Sequence, residues 1–161
     1  MNKLLIICMY LIVLISVPLF ETIVKNKIRR TKNKPYYIYN GNIQISYLKN
    51  KGAMLGTFAN KRKTLLIITS IMLFIVIAST TYVLLFVEKR YLLKIGLMIL
   101  SSGALSNSLE RYIYKYVVDY FSFPKTLIKP LRSIVFNMAD MFIFSGLLII
   151  MLSILLGSKY L

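Results

Sequence analysis

Apolar residues fall into four long runs separated by polar, mostly basic segments. The first run, Leu4–Phe20, follows Lys3 and continues past Pro18 towards Lys25. It is long for the hydrophobic region of a signal peptide and no small-residue cleavage site follows it, so it reads as an uncleaved span over about 4–24. Cys8 lies within it and reads as a small packing residue. Thr64–Val87 carries no charge at all and predicts a second span over 64–87. Glu88-Lys89-Arg90 leaves only a short connection before a third span over about 91–111, interrupted by Lys94 and Asn107. Its Ser101, Ser102, Gly103, Ala104 and Ser106 are small enough to admit a neighbouring helix closely. Phe136–Leu156 gives a fourth span over about 136–157, apolar except for Asn137, Asp140 and serines. Each run approaches the roughly 20 residues a helix needs to cross a bilayer.

Between the first two runs, residues 26–63 are polar and basic. Tyr36–Tyr39 and Asn42–Leu48 flank Asn40-Gly41, a signal for a two-residue type I′ hairpin. Ile43, Ile45 and Tyr47 would then face one way. A lone hairpin is marginal in water, so it is expected in a small sheet on the membrane surface, over about 36–58, with its tyrosines at headgroup level. Residues 112–135, with Pro124 and Pro130, read as an aromatic, partly basic connection. The predicted fold is a mainly α membrane protein: four transmembrane helices and a small surface β-hairpin or sheet, in one domain over 1–161.

Composition agrees and narrows the chemistry. The chain is 58% hydrophobic with a mean hydropathy of +0.70, beyond what a soluble domain of this size buries. It has no histidine, which excludes Ser-His and Cys-His catalysis and His-ligated metals. A single cysteine excludes an internal disulfide. Against 21 lysines and arginines stand five acidic residues, Glu21, Glu88, Glu110, Asp119 and Asp140, for a net charge of +16. In so apolar a chain this charge points to anionic membrane lipids rather than nucleic acid.

The polar groups in and beside the spans are not scattered. Asn107, Glu110 and Arg111 share one helix face at the end of the third span. Asn137 and Asp140 share one at the start of the fourth. Glu21 and Lys25 stand four apart at the end of the first, and Asn50 and Gly52 lie in the loop that follows. Alternating spans bring all of them to one membrane surface. Ionisable groups there are costly and point to function. Asp119 and Asp140, the only aspartates in the chain, would share a proton if held close, because two adjacent carboxylates cannot both ionise. The ionised member can take a proton from water while the other donates to a carbonyl oxygen. Spacing allows that meeting without requiring it. A small transporter fits less well, since the polar groups gather at one surface.

Several blocks resemble the lipoprotein signal peptidase (signal peptidase II) family. They are Asn50-Lys51-Gly52-Ala53, Gly103-Ala104-Leu105-Ser106-Asn107-Ser108-Leu109-Glu110-Arg111, Val117-Val118-Asp119-Tyr120 and Phe136-Asn137-Met138-Ala139-Asp140, with Glu21 and Lys25 resembling an Asp-x-x-x-Lys block. The resemblance implies a bacterial membrane aspartyl endopeptidase that removes signal peptides from diacylglyceryl-modified prolipoproteins, just before the lipidated cysteine. Asp119 and Asp140 correspond to its catalytic pair. Asn50, Gly52, Asn107, Glu110, Arg111, Asn137, Glu21 and Lys25 correspond to residues that bind substrate or orient the site. The hairpin corresponds to a small sheet that cradles substrate, and residues 112–123 to part of the site's cover. No metal or other cofactor is implied, and a monomer is expected. The chain departs from the family pattern at Glu21 and Glu110, where Asp is usual, at Ser106, where Gly is usual, and at Met54-Leu55, where Ala-Phe is more usual.

The family's topology puts both termini in the cytoplasm and the site outside, in the plasma membrane. The positive-inside rule argues the opposite, because residues 25–63 carry 11 lysines and arginines. Lys3, Lys89, Arg90, Lys94 and Lys159 suit a cytoplasmic side. The alternative function is a specialised or non-catalytic paralogue that binds lipopeptides or signal peptides without cutting them.

Overall fold

The computed structural model describes residues 3–31, 34–52 and 60–157. Four helices are long and apolar enough to cross a membrane: α1 (Lys3–Thr31), α2 (Arg62–Phe86), α3 (Tyr91–Tyr114) and α4 (Met138–Leu155). A three-stranded antiparallel sheet, β1 (Tyr36–Ile38), β2 (Ile43–Asn50) and β3 (Val117–Ser122), completes the fold in the order β1-β2-β3. The predicted class is thus the observed one. Residues 53–58 of the expected surface β region, including Ala53, Met54 and Leu55, lie outside the described residues, as does Lys159.

α3 is the central helix and packs against α1, α2 and α4. Its approach to α4 is the tightest. A Cβ at Gly103 would stand 2.6 Å from the Ala139 carbonyl oxygen, and one at Gly146 would stand 2.6 Å from the Leu100 nitrogen. Only glycine allows backbones so close. Thr80 of α2 and Ser101 of α3 bring their hydroxyls to 2.7 Å within the apolar layer. Each is also 2.7 Å from a carbonyl of its own helix, Val76 and Leu97 respectively, so neither is left unsatisfied in hydrocarbon. α2 and α4 barely approach one another.

α1 continues well past its apolar run, and its polar final turns carry Lys25 and Arg29 towards the sheet. In the hairpin, Ile38 pairs with Ile43, so four residues make the turn rather than the expected two. Tyr39, Asn40 and Gly41 all have positive φ (50°, 55° and 82°). Asn-Gly marks a place where left-handed backbone is tolerated; it does not fix how many neighbours join in.

β3 comes from the segment read as an aromatic, partly basic connection. All six of its residues are buried. Asn50 pairs with Val117 and Leu48 with Asp119, and a bulge then shifts the register before Ile45 meets Phe121. Ile43 and Ile45 lie before the bulge, and Tyr47 lies within it. Those two isoleucines pack against the Tyr120, Phe121 and Phe136 core.

Candidate active site

The two aspartates come together where β3 meets the start of α4. Phe136 is clamped to β3: its N–H donates to the Phe121 carbonyl (2.7 Å), and its carbonyl accepts from Tyr120 (2.8 Å) and Phe121 (3.0 Å). The next residue, Asn137, is therefore fixed beside Asp119. Its extended backbone (φ −126°, ψ 169°) makes it the cap of α4 rather than part of the helix. Asn137 Oδ1 accepts from the Asp140 N–H at 3.0 Å, and Asp140 Oδ2 accepts from the Asn137 N–H at 3.0 Å. This reciprocal capping box starts the helix at Met138. The remaining Asn137 group, Nδ2, donates to Asp119 Oδ1 at 2.7 Å. One residue holds both carboxylates.

The other carboxylate oxygens are held in the same manner. Asn50 Oδ1 accepts from the Gly52 N–H at 3.0 Å, leaving Nδ2 to donate to Asp119 Oδ2 at 2.9 Å. Asn107 Oδ1 accepts from Lys25 Nζ at 3.1 Å, leaving Nδ2 to donate to Asp140 Oδ1 at 2.7 Å. In all three asparagines a donor occupies the oxygen, so the NH₂ group is the one that faces the aspartate. Arg111 Nη2 donates to the Gly52 carbonyl at 3.1 Å, tying α3 to the loop after β2. Its charge acts on both aspartates.

Behind the pair lies a buried ion network. Lys25, 2% exposed, sits 2.7 Å from Glu21 Oε2 and 2.8 Å from Glu110 Oε2. Arg29 also pairs with Glu110 and lies over the Tyr114 ring, 3.9 Å from its centroid. Glu110 Oε1 accepts from the Val118 N–H at 3.3 Å, which fixes the start of β3. Glu21 Oε1 accepts from the Tyr120 hydroxyl at 2.8 Å and from the Met138 N–H at 3.1 Å. A carboxylate there answers an orphan N–H and the positive end of α4. Two cations against two carboxylates leave the network neutral, as burial demands.

Every residue expected at the site from the sequence lies in this cluster. Arg29 and Tyr120 were not foreseen. Arg29 extends the i, i+4 row of Glu21 and Lys25 along α1, and that row could have revealed it. Tyr120 ends the Val117-Val118-Asp119-Tyr120 block of the family resemblance, but nothing in the sequence links its hydroxyl to Glu21.

Asp119 is 3% exposed. Its carboxyl is raised to about 6, first by burial and then by the charge of Asp140; the hydrogen bonds from Asn50 and Asn137 and the charge of Lys25 pull the other way. Such a carboxyl retains a proton well into the weakly acid range. From the two aspartates a cavity of about 1030 Å³ runs between α2, α3 and α4. Its head is polar. Its depth is lined by Met72, Leu73 and Val76 of α2 and by Ile143, Phe144 and Leu147 of α4. Among the described residues no group of three or more His, Cys, Asp or Glu is placed to hold a metal ion.

Fold and site together define a multi-pass helical membrane protein with a two-carboxylate cleft at one end of its bundle. The chain belongs to the signal peptidase II family: residues 9–156 match the family model described as Signal peptidase (SPase) II. It is 32% identical over 133 residues to the lipoprotein signal peptidase of Clostridium acetobutylicum, covering 81% of this chain and 80% of that one. It is 30% identical over 167 residues to that of Malacoplasma penetrans, covering 96% of this chain and 64% of the relative. Two solved structures of bacterial membrane enzymes, obtained by the in meso method, share the fold. One has a TM-score of 0.81 at 22% identity, over 95% of this chain and 91% of the other. The second has a TM-score of 0.76 at 23% identity, over 92% and 94%. The protein is thus a membrane-spanning protease of the lipoprotein-processing type.

Proposed function

We propose that this chain is an aspartyl endopeptidase in which Asp119 and Asp140 share one proton. Its substrates are diacylglyceryl-modified prolipoproteins, cut just before the lipidated cysteine. The observation that carries this reading is the position of Asn137, hydrogen-bonded to both carboxylates at once. The ionised aspartate takes a proton from a water molecule, and that water attacks the scissile carbonyl. The protonated aspartate donates to the carbonyl oxygen. Collapse of the tetrahedral intermediate then breaks the C–N bond, and the leaving amine takes a proton from the pair. Asn50, Asn107 and Asn137 keep the carboxylates oriented, and Arg111 and Gly52 border the path of the substrate backbone.

The lipid part of the substrate enters from the bilayer between α2 and α4 and lies along the apolar depth of the cavity. The whole chain acts as one peptidase domain, as a monomer, without a cofactor and in contact with anionic lipid. It lies in the bacterial plasma membrane with its termini in the cytoplasm and its site facing outward. A cysteine introduced by Ser46→Cys tests the orientation: labelling in intact cells supports it, and labelling only from the cytoplasmic side refutes it. The chemistry is tested by cleavage of a diacylated prolipoprotein in membranes carrying the native chain, Asp119→Asn or Asp140→Asn. Cleavage by the native chain alone supports the pair. A native chain that binds the lipidated precursor without cutting it gives the reading over to a lipopeptide-binding paralogue.

A further inference from the structure

The site end of the bundle has an unusual surface. Glu21, Glu110 and Asp119 are buried there and Asp140 is half-buried. Glu88, the one remaining acidic residue, lies at the opposite end. Among the described residues, the site end therefore exposes cations and no fully exposed carboxylate.

The segment from Phe123 to Ser133 stands out within that surface. It is tied to itself: Thr126 N–H donates to the Phe123 carbonyl (3.2 Å), Leu131 N–H to the Ile128 carbonyl (3.0 Å), and Arg132 Nε to the Thr126 carbonyl (2.8 Å). Lys125 Nζ donates to the Asn40 carbonyl and joins the segment to the hairpin tip. Beneath, Phe123 and Leu131 pack on the core of Tyr120, Phe121 and Phe136. Yet this well-anchored loop holds Leu127 92% exposed and Ile128 57% exposed. Lys125, Lys129 and Arg132, all exposed, flank them along the chain. A soluble surface has no use for two large aliphatic side chains held out rigidly among cations. The interface of an anionic membrane suits both, since aliphatic groups gain by leaving water and each nearby cation favours the anionic surface. The loop also leads directly to the start of α4, the boundary of a span.

We propose that the Phe123–Ser133 loop is a foot that inserts into the outer surface of the bilayer and selects anionic phospholipid. Leu127 and Ile128 enter the acyl region, and Lys125, Lys129 and Arg132 take the phosphate-bearing headgroups. Ser133 and Ile134 line the cavity, so the foot holds that wall of the cleft at the membrane surface. This role goes beyond proteolysis; the side of the membrane it names rests on the orientation proposed above.

The chain contains no tryptophan, so Leu127→Trp supplies a sole indole at an exposed position. The full-length variant is reconstituted in vesicles of mixed phosphatidylglycerol and phosphatidylcholine, with bromine on the acyl chains of one or the other. The expected result is a blue-shifted emission quenched more strongly by brominated phosphatidylglycerol. Adding Lys129→Gln should cut that preference about fivefold. Ile128→Trp provides a second reading should the first variant fold poorly. A water-like emission quenched by neither lipid overturns the proposal. So does equal quenching by both lipids, because selection of anionic lipid is then absent. A variant that still cuts prolipoprotein while its indole stays unquenched removes the foot and leaves the protease reading standing.

Discussion

Asn137 Nδ2 lies 2.7 Å from Oδ1 of Asp119, and this hydrogen bond is made by the same residue that caps the helix carrying Asp140. Positioning one aspartate and starting the helix of the other are therefore a single structural event. Asn137→Ala removes the cap, at a cost of about 1 kcal/mol. It also removes a donor from a buried carboxylate. The expected outcome is a modest drop in the thermal unfolding midpoint in detergent. The fall in kcat should be much larger, on the order of 100-fold, as for loss of one oriented donor at a reacting centre. A kcat loss no larger than the stability change predicts would separate the two functions.

The proton that the proposed mechanism places on the pair gives a pH prediction with a definite sign. Asp119 is raised to about 6, and the proposed mechanism needs one proton on the pair. As pH rises through that value the proton leaves. The profile of kcat/KM, which reports the free enzyme, should therefore decline above about pH 6, roughly tenfold per unit. Asn50→Leu removes a hydrogen bond that favours the ionised form. It should move this limb to higher pH while lowering kcat. A shift to lower pH would contradict the assignment.

Lys25 is the cation on which the buried network closes. Lys25→Met leaves Glu21 without its ion pair and Glu110 with Arg29 alone. Breaking such a buried pair costs about 3–5 kcal/mol. The same change frees Asn107 Oδ1, so that its amide can turn its oxygen towards Asp140. Both stability and kcat should fall. Arg29→Met, at a side chain 15% exposed, should cost less of each in the same unfolding and cleavage assays.

Two glycines on the α3–α4 contact separate packing from catalysis. A Cβ at Gly103 meets the carbonyl of Ala139, the residue before Asp140, while one at Gly146 meets Leu100 deeper in the bundle. Overpacking at either costs about 1–3 kcal/mol. Gly103→Ala should also lower kcat, because relief of the clash shifts the first turn of α4. Gly146→Ala should match its stability loss and keep most of the activity. The comparison needs only melting curves and cleavage rates from the two variants.

The four spans were legible because hydrophobic runs of that length have one common use. The gathering of Asn107, Glu110, Arg111, Asn137 and Asp140 at one surface was legible because alternating helices leave little choice of depth. Other features depend on partners distant in the chain. Val117–Ser122 is a short run of apolar and aromatic residues broken by Asp119, and only its pairing with β2 makes it a strand. Asn137 looks like the first turn of a helix until the clamp of Phe136 on Phe121 fixes its backbone as extended. The hairpin turn was placed by Asn40-Gly41, but its length follows from the left-handed backbone of Tyr39. Tyr120 joins the network only because Glu21, 99 residues away, accepts from its hydroxyl.

The gap between α2 and α4 has a consequence for how the enzyme is handled. α2 rests on α3 and, more lightly, on α1, so among the described residues one side of the cleft stands open between α2 and α4. In a membrane that side is closed by acyl chains, which makes the surrounding lipid a structural component of the catalytic chamber. Exchanging bilayer for detergent then replaces a wall of the enzyme, and activities measured in different detergents are activities of differently built chambers.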